Sequence, residues 1–545
     1  MSTLEWWRGA VLYQVYPRSF MDSNNDGIGD LAGITSKLPY IADLGVDAIW
    51  ISPFYKSPMA DFGYDVSDHC SVDPIFGDLN DFSQLVQKAH SLNLKVLIDA
   101  VLNHTSEQHE WFNESRQNQD NAKADWYVWA DPKEDGTPPN NWLSIFGGPA
   151  WAWDPRRKQY YLHNFLAAQP DLNYHHSGVR KAVLENIEFW LKLGVDGIRV
   201  DAANFCCHDL LLRDNPPRTK ERLTVMGIRG DNPYAYQEHL FNHTQPENLE
   251  FISELRQLLN QYPGTTSLAE ISSEDSLATM AEYTKGQHGL HMAYSFELLN
   301  DKYSAAHIRQ TIERLEDKLE DGWPCWALGN HDVERVVTRW DRSQRHEDKA
   351  KMLNALLGSL KGSVCVYQGE ELGLPQADIQ FEDMQDPYGI NFWPTFAGRD
   401  GCRTPLPWNR TMNAGFSLET PWLPIPDEHI KMSIRDQQLN SESVINAFKS
   451  FMKWRATQPA LIEGDIKFLD APEPILLFCR HAEDRAIVCG FNLSGDSQQF
   501  TLPSHLQAHQ LVGHEFNNTL LDESNQLRFL PYGVFFAVLN TAQCN

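Results

Sequence analysis

The sequence has little positive charge for its length. It has 545 residues, and 46 Lys and Arg stand against 73 Asp and Glu, which gives a formal net charge of −27. Such an excess of negative charge repels phosphate backbones and anionic lipid head groups, so we expect neither a nucleic-acid partner nor a membrane partner. The charge is compatible with a protein that acts on neutral substrates, or with one from a saline environment.

Membrane-spanning runs, a secretory leader and paired cysteines are also missing. No apolar run approaches the roughly 20 residues that cross a bilayer. The first residues do not join a basic stretch to an apolar run and a small-residue cleavage site. The nine cysteines are scattered without a C-x-x-C pair, which argues against a disulfide framework and a zinc ribbon. We therefore predict a cytoplasmic protein with reduced thiols.

The sequence does contain a regular alternation of short β-branched runs and amphipathic stretches. Buried strands are predicted at residues 10–16, 46–52, 94–100, 195–200, 266–269, 292–296, 325–328 and 363–367. Helices are predicted between most of them, at residues 34–44, 79–92, 179–193, 249–259, 305–319 and 348–360. Parallel strands crossed by helices form a doubly wound sheet or a closed barrel. Eight strands, with no G-x-G-x-x-G after the first, favour an α/β fold of the (β/α)8 TIM-barrel type.

Two connections are too long for simple loops, and the end of the chain changes pattern. Residues 1–103 are predicted to form the first part of the barrel, and residues 104–174 a subdomain inserted after strand 3. Residues 175–458 complete the barrel, with a long insertion at 369–439 after strand 8 and a closing helix at 441–455. Residues 459–545 alternate as short strands and predict an all-β C-terminal domain.

Polar side chains cluster where several of these strands should end. The run DAVLNH at 99–104 follows the third strand, and RVDAAN at 199–204 follows the fourth. Glu270 follows the fifth strand, and the run NHD at 330–332 follows the seventh. Each alone has a simpler explanation, such as the cap of the next helix. Together they place three carboxylates, two histidines and an arginine on the face where barrel enzymes have their active sites.

This set of residue types suits the cleavage of a glycosidic bond. That reaction needs one carboxylic acid for the leaving oxygen and one carboxylate as nucleophile or base. Arg199, two residues before Asp201, points to the same side of the strand, and we expect its cation to keep Asp201 ionised. The sequence has no phosphate-binding loop, G-x-S-x-G elbow or H-E-x-x-H pair, which excludes the commonest competing enzyme classes.

The same runs carry a family resemblance. DAVLNH at 99–104, GIRVD at 197–201, Glu270 and NHD at 330–332 resemble, in order and spacing, the four motif regions of glycoside hydrolase family 13, the α-amylase superfamily. QPDLN at 169–173 is similar to the fifth region. Further runs make the chain similar to the α-glucosidases and oligo-1,6-glucosidases of that family, namely YQVYPRSFMDSNNDGIGDLAGI at 13–34, DFGYD at 61–65 and RDGCRTP at 399–405. The resemblance covers nearly the whole chain.

The resemblance implies a role for each residue of the site. Asp201 is the implied nucleophile, Glu270 the general acid/base, and Asp332 the carboxylate that holds sugar hydroxyls and stabilises the transition state. The implied substrate-binding residues are Asp61, Tyr64, His104, Phe146, Phe165, Arg199, His331 and Arg399. Among these, Asp61 and Arg399 imply a pocket closed at the non-reducing end, and Tyr64 implies stacking on the sugar. The two phenylalanines are equally compatible with the core of the inserted subdomain.

The implied activity is that of a retaining, exo-acting α-glucosidase. It releases terminal α-1,4-linked glucose from short α-glucosides such as maltose through a covalent β-glucosyl-enzyme, with transfer to sugar or alcohol acceptors and no organic cofactor. The α-1,4 preference rests on Ala202, since relatives that prefer α-1,6 links usually have Val there. Alternatives within the family are an oligo-1,6-glucosidase, a sucrose-cleaving or isomerising enzyme, and a trehalose synthase. A non-catalytic sugar-binding or partner subunit is disfavoured by the three carboxylates. We expect a monomer or a homodimer.

An acidic loop near the start of the chain resembles a metal-binding loop. Oxygen-bearing groups recur at every second position, in the front-half pattern of a calcium-binding hand: Asp22, Asn24, Asp26, the Ile28 carbonyl and Asp30. The acidic residue that ends a full hand is missing. The alternative is a turn whose side chains cap its own backbone. The family resemblance favours a structural Ca²⁺ or Mg²⁺ ion.

Overall fold

The centre of the molecule is a sheet of eight parallel strands. The protein is described by a computed structural model that covers residues 5–219, 228, 232–340, 346–482, 485–503, 506 and 508–540. The strands, here called barrel strands 1 to 8, are Val11–Val15, Ala48–Ile51, Lys95–Ala100, Gly197–Val200, Thr266–Ile271, Met292–Ser295, Cys325–Ala327 and Ser363–Tyr367. All eight coincide with the predicted strands, within three residues at each end.

The sheet closes into a barrel. Strands 1 to 6 pair in sequence order, and strand 8 pairs with both strand 1 and strand 7. A parallel bridge between Ala293 and Pro324 joins strand 6 to the start of strand 7 and completes the ring. The predicted TIM-barrel fold is therefore confirmed.

Helices surround the barrel and cover its outer face. They are Leu31–Asp43, Leu79–Ser91, Ser177–Lys192, Asn248–Leu259, Ser276–Tyr283, Ala305–Glu316, His346–Ser359 and Val444–Arg455. The helix Ser276–Tyr283 was not predicted, because its eight residues are too few to show a helical period. The others match the predictions closely, and several begin at capping residues. Asp78, for example, forms a reciprocal capping box with Asp81.

The sequences of the barrel strands are continuous apolar runs because both faces of each strand are buried. In barrel strand 2, Ile49 and Ile51 pack outward against the helix layer, whereas Ala48 and Trp50 belong to a separate cluster inside the barrel. The alternation follows from the period of two along a strand. Arg199 of strand 4 also points inward, with its guanidinium 4.8 Å from the ring centre of Trp50. A charged group is thereby held at the centre of the barrel.

Three long connections extend from the carboxyl ends of the strands. The one after strand 3 carries the short helix Glu110–Ser115 and an antiparallel sheet of Trp129–Ala130, Gln159–Leu162 and Trp151–Asp154. The one after strand 8 carries the short helices Pro387–Phe392, Asp400–Arg403, Asp427–Lys431 and Ile434–Leu439. A third connection, at 201–247 after strand 4, was not predicted as an insertion, and its described part contains the turn Pro233–Tyr236. These connections surround the carboxyl end of the barrel.

The C-terminal part of the chain is all-β, as predicted. One antiparallel sheet contains Asp465–Leu469, Ile475–Ala482, Arg485–Asn492, Val534–Asn540 and His509–Gln510, and a second contains Gln498–Thr501, Gln526–Phe529 and Thr519–Leu521. Among the described residues, no helix is both long and apolar enough to cross a membrane. The eight cysteines in the described ranges are free thiols.

Candidate active site

A single pocket at the carboxyl end of the barrel collects the predicted catalytic carboxylates. It encloses about 850 Å³ of space, counted out to its open mouth. Asp201 follows strand 4 directly, and Glu270 lies inside strand 5, which runs two residues further than predicted. Asp332 stands in the loop after strand 7. The pocket is lined by Asp61, Tyr64, His104, Ile145, Phe146, Phe165, Gln169, Asp201, Ala202, Phe205, Ile228, Glu270, Ser272, Phe296, Asp332, Val333, Tyr388 and Arg399.

One buried guanidinium organises the nucleophile side of the pocket. Nη1 of Arg199 lies 2.8 Å from Asp99 and 2.5 Å from Asp201. Nη2 lies 2.5 Å from Glu270 Oε1 and 2.8 Å from the Tyr294 hydroxyl. Arg199 is completely buried. Its four terminal N–H groups thus tie three carboxylates and one hydroxyl together.

The expectation that Arg199 keeps Asp201 fully ionised needs correction. Burial raises the pKa of Asp201 to about 7, although Arg199 lowers it, and the nearby Asp99 raises it further. Burial likewise raises the pKa of Glu270 to about 7 and that of Asp99 to about 6. One cation cannot offset three buried carboxylates, so the group retains protons at higher pH than free carboxyls do.

Glu270 is held on both of its oxygens. The Tyr294 hydroxyl donates to Oε1 at 2.8 Å, and the backbone N–H of Ala202 donates to Oε2 at 3.2 Å. Ala202 has a φ of +43°, a left-handed backbone that turns the chain sharply after Asp201. That turn brings the residue after the predicted nucleophile against the predicted acid/base. A carboxyl near neutral pKa beside an anionic partner is the arrangement that acid catalysis requires.

Asp332 lies in the opposite electrostatic environment. Burial by itself would raise the pKa of its carboxyl, but the guanidinium groups of Arg399 and Arg403 hold that pKa well below its ordinary value, and His331 adds to this effect only at a pH low enough to protonate its imidazole. Arg399 Nη1 and Arg403 Nη2 contact Asp332 Oδ1 at 3.0 and 3.1 Å. Asp332 is therefore ionised where Glu270 is not. The two carboxylates can play different parts in one reaction because their surroundings separate their pKa values.

A second arginine that lines the pocket, Arg399, is also shared by several carboxylates. Arg399 Nη2 lies 2.7 Å from Asp61 and 2.8 Å from Asp386. Asp386 also accepts the Arg399 backbone N–H at 2.7 Å and contacts Nε through both oxygens. Sequence reasoning missed Asp386, which is fully buried. Its sequence context, just before Pro387, indicates a helix cap, and it does cap the following helix through Tyr388 N–H.

Tyr64 and His331 stand side by side. Their rings stack with centres 5.2 Å apart, and Tyr64 Oη lies 2.6 Å from His331 Nε2. Tyr64 also donates to Asp99 at 3.0 Å, and Gln14, which was not predicted, contacts His331 Nδ1 at 2.8 Å. Burial lowers the pKa of His331 to about 3, so the imidazole is neutral. These contacts with His331 and Asp99 hold the Tyr64 ring in place at the pocket wall.

His104, Phe146 and Phe165 line the pocket, whereas Arg199 and His331, which were also predicted to bind substrate, are buried and do not line it. His104 Nε2 donates to the Tyr64 carbonyl at 2.9 Å, and burial lowers its pKa to about 4. Phe165 packs on His104 with ring centres 5.1 Å apart. Phe146 lies under the Arg399 guanidinium, 5.1 Å from its carbon. Both phenylalanines thus form part of the wall rather than of the subdomain core alone. Phe205, Phe296 and Tyr388 extend this wall and were not predicted.

The acidic loop is closed by its own hydrogen bonds. Both oxygens of Asp22 accept backbone N–H groups of the loop that follows, and Asp30 accepts the Ser23 hydroxyl and caps the next helix. Asp26 is exposed and accepts the Ile28 N–H. Within the described ranges, no group of three or more His, Cys, Asp or Glu is arranged to hold a metal. The oxygen donors are of the kind that Ca²⁺ and Mg²⁺ take, and the cation stays a prediction.

Comparison with known proteins assigns the family. The family model for the α-amylase catalytic domain matches residues 14–464. A probable α-glucosidase of Rhizobium meliloti (strain 1021) is 50% identical over 538 residues, 98% of this chain and 97% of that protein. An oligo-1,6-glucosidase of Heyndrickxia coagulans is 35% identical over 565 residues, 97% and 98% of the two chains. The crystal structure of an α-glucosyl transfer enzyme, XgtA, has a TM-score of 0.97 at 58% identity, covering 99% of this chain and 100% of that one.

These matches agree with the barrel, and the motif runs from which the resemblance was inferred lie on its strands and loops. The family match spans the barrel, the insertion after strand 3 and the connection after strand 8. The relatives match over nearly their whole length. The chain therefore belongs to glycoside hydrolase family 13, the α-amylase superfamily, and is a glycoside hydrolase.

Proposed function

We propose that this protein is a retaining, exo-acting α-glucosidase that releases terminal α-1,4-linked glucose from short α-glucosides such as maltose. The observation that carries the proposal is the composition of one pocket. Asp201, Glu270 and Asp332 line it together with the ion pair of Arg399 and Asp61. We infer that this ion pair closes the end of the pocket that receives the non-reducing end of the substrate. A closed end admits the terminal glucose of a chain and leaves the next unit toward the mouth.

The proposed reaction has two displacements at the anomeric carbon. In the first, the Asp201 carboxylate attacks C1 while Glu270 gives its proton to the glycosidic oxygen, and the aglycone leaves as an alcohol. In the second, Glu270 takes a proton from water, whose oxygen attacks C1 and releases Asp201. Each step inverts C1, so the product keeps the α configuration. Arg199, 2.5 Å from Asp201, favours the carboxylate as it leaves.

Transfer to other acceptors is a second part of the proposal. The structure that is 58% identical to this chain is of an α-glucosyl transfer enzyme, and the pocket wall is largely apolar, with Phe165, Phe205 and Tyr388. A sugar or an alcohol held against that wall replaces water in the second displacement. Product analysis with maltose and added ethanol tests this step, and glucose as the sole product from maltose at every ethanol concentration contradicts it.

The bond preference rests on Ala202 and has a specific rival. An oligo-1,6-glucosidase is 35% identical to this chain, so α-1,6 links are the second candidate. Initial rates on maltose and isomaltose distinguish the α-1,4 preference from the α-1,6 preference. Initial rates on sucrose and trehalose test the isomerising and trehalose-forming alternatives. A higher kcat/KM for isomaltose than for maltose overturns the α-1,4 assignment.

The decisive experiment removes the nucleophile. Asp201→Asn is expected to lower kcat by at least about 10³-fold, because the amide cannot form the glucosyl ester. The matched control is Asp196→Asn, which makes the same change just before strand 4, at its amino end, where Asp196 pairs with Lys95. Proton NMR of the first sugar released by the parent enzyme gives its anomeric form. An active Asp201→Asn variant or a β-glucose product contradicts the proposal, and a parent chain without turnover supports the binding-subunit alternative.

The cation and the location complete the proposal. We infer a structural Ca²⁺ or Mg²⁺ held by Asp22, Asn24, Asp26, the Ile28 carbonyl and Asp30, all far in sequence from the catalytic carboxylates. The free thiols of the described cysteines support a reducing, cytoplasmic location.

A further inference from the structure

We propose that the hydroxyl of Tyr294 positions Glu270 and determines which of its two carboxyl oxygens delivers the catalytic proton. The inference rests on the proposed function, in which Glu270 is the acid/base. Tyr294 belongs to barrel strand 6, on the far side of Glu270 from the nucleophile, and its side chain is 2% exposed. No motif run contains Tyr294, so its role was not predicted from the sequence.

The direction of the Tyr294 hydrogen bonds follows from its partners. The hydroxyl lies 2.8 Å from Arg199 Nη2 and 2.8 Å from Glu270 Oε1. A guanidinium can only donate, so the hydroxyl oxygen accepts from Arg199. The single hydroxyl proton can then point at Glu270 Oε1, which accepts it. Tyr294 is therefore a fixed donor to Glu270 Oε1.

The two oxygens of Glu270 are consequently unequal. Oε1 receives the Tyr294 hydroxyl and also Arg199 Nη2, which lies 2.5 Å away. Oε2 receives only the longer Ala202 N–H contact of 3.2 Å. A proton on Oε1 would face the Arg199 donor at 2.5 Å and would displace the proton that Tyr294 donates, whereas a proton on Oε2 faces only the longer contact with the Ala202 N–H. When Glu270 is protonated, the proton sits on Oε2, and that oxygen is the one that acts on the glycosidic bond.

The hydroxyl also bears on the acidity of Glu270. The charged groups that face this carboxyl are Arg199, Asp201, Asp332 and, from barrel strand 3, Asp99, and burial is the largest influence, raising the pKa to about 7. Against these, the Tyr294 hydrogen bond stabilises the ionised form and lowers the pKa. Removing the hydroxyl is therefore expected to raise the pKa and to keep Glu270 protonated to higher pH.

The test is Tyr294→Phe, which removes the hydroxyl and keeps the ring. The alkaline limb of kcat/KM for maltose is expected to move upward by about 1 to 2 pH units, the size of one hydrogen bond to a charged group. The loss of kcat/KM at pH 7 is expected to be several-fold larger for maltose than for p-nitrophenyl α-glucoside, because nitrophenolate leaves with little help from an acid. Tyr294→Met, which also lacks the hydroxyl, must shift the limb in the same direction.

Tyr13→Phe is the matched control. The Tyr13 hydroxyl likewise donates to a buried glutamate, Glu371, at 2.7 Å, but Glu371 does not line the pocket. Removing the Tyr13 hydroxyl is expected to change the thermal stability and to leave the alkaline limb of kcat/KM for maltose unchanged. An unmoved limb in Tyr294→Phe, a downward shift, or an equal shift in Tyr13→Phe overturns the proposal.

The same substitution made in a Glu270→Ala enzyme distinguishes a failure of this inference from a failure of the proposed function. Glu270→Ala is expected to recover turnover of p-nitrophenyl α-glucoside when azide is added, because azide attacks the glucosyl-enzyme without a base. In that background Tyr294→Phe is expected to change the azide-rescued rate less than twofold, since its partner is gone. Absence of azide rescue contradicts the acid/base role of Glu270 itself. Rescue with a further large loss from Tyr294→Phe shows that the hydroxyl acts through Arg199, and it contradicts only the present inference.

Discussion

Two arginines, each shared by three carboxylates, set the chemistry of the site at the residue scale. Arg199 contacts Asp99, Asp201 and Glu270, and within the described residues no second cation pairs with these three carboxylates. Arg399 contacts three other carboxylates but has Arg403 as a neighbour on Asp332. The first group therefore retains protons near neutral pH, whereas Asp332 stays ionised. The number of cations per carboxylate decides which residue serves as acid.

The first prediction concerns the pH dependence of the parent enzyme. Asp201 must be ionised and Glu270 protonated, and burial raises the pKa of each to about 7. The kcat/KM for maltose is therefore expected to rise toward pH 7 and to fall above it, with the two limbs belonging to the pair rather than to single residues. Initial rates between pH 4 and pH 9 measure the profile. An alkaline limb at the ordinary glutamate value, near 4.3, contradicts the prediction.

The second prediction concerns Asp386, which holds Arg399 through both of its oxygens. Asp386→Asn removes a charge-assisted pair, so Arg399 is expected to lose its fixed orientation at the closed end of the pocket. The expected loss is about 10- to 100-fold in kcat/KM for maltose, mostly through a higher KM, since the contact serves ground state and transition state alike. Asp154→Asn, which breaks a buried pair with Arg116 in the inserted subdomain, is the matched control. A change in kcat alone contradicts the assignment.

At the scale of elements, most residues of the pocket lie in the loops after the strands, and the strands form the barrel that positions those loops. The sharp turn at Ala202 connects the predicted nucleophile to the acid/base through a single N–H group. The acidic loop before helix Leu31–Asp43 ends at Asp30, which caps that helix by accepting the Gly33 N–H at 2.6 Å. One residue thus serves both the loop and the start of the first barrel helix.

The third prediction separates the two explanations of that loop. If the loop holds a cation, removal with EDTA lowers the melting temperature, and added Ca²⁺ or Mg²⁺ restores it, because binding only to the folded state stabilises it. Differential scanning calorimetry with and without chelator measures the effect. Asp30→Ala is expected to cost about 1 kcal/mol as a lost helix cap, and more than that in the presence of the cation if Asp30 is also one of its ligands. A melting temperature that EDTA leaves unchanged contradicts the cation and favours a loop closed by its own hydrogen bonds.

At the scale of the whole molecule, the net charge of −27 is separate from the chemistry. The carboxylates that line the pocket or pair with its two arginines are few, and many of the remaining acidic residues lie on exposed positions. A neutral sugar gains nothing from a long-range field. The charge therefore bears on solubility and on repulsion within the folded chain.

The fourth prediction follows from this separation. Raising NaCl from 0.05 to 0.5 M is expected to change kcat/KM for maltose less than twofold. The charges of the protein do not steer a neutral substrate, so salt has no steering effect to screen. The melting temperature is expected to rise over the same range as repulsion among the acidic residues is screened. Rates and calorimetry in matched buffers test both parts. A salt-dependent change of tenfold in kcat/KM contradicts the first.

The sequence by itself determined the strands, most helices and the three carboxylates that meet in the pocket. Strand cores such as residues 363–367 are short apolar runs whose period identifies them locally. The motif residues were found because their spacing follows the ends of those strands. Local patterns were enough wherever the property in question belongs to consecutive residues.

Only the tertiary structure decided which distant residues meet and how they share charge. Asp386 and Tyr294 lie in no motif, and their partners Arg399 and Glu270 are reached only through the fold. The raised pKa of Asp201 likewise depends on burial and on Asp99, which lies about one hundred residues away in the chain. Contacts between residues far apart in sequence leave no periodic trace, and electrostatic balance depends on depth and distance in space. Those two quantities exist only once the barrel has closed.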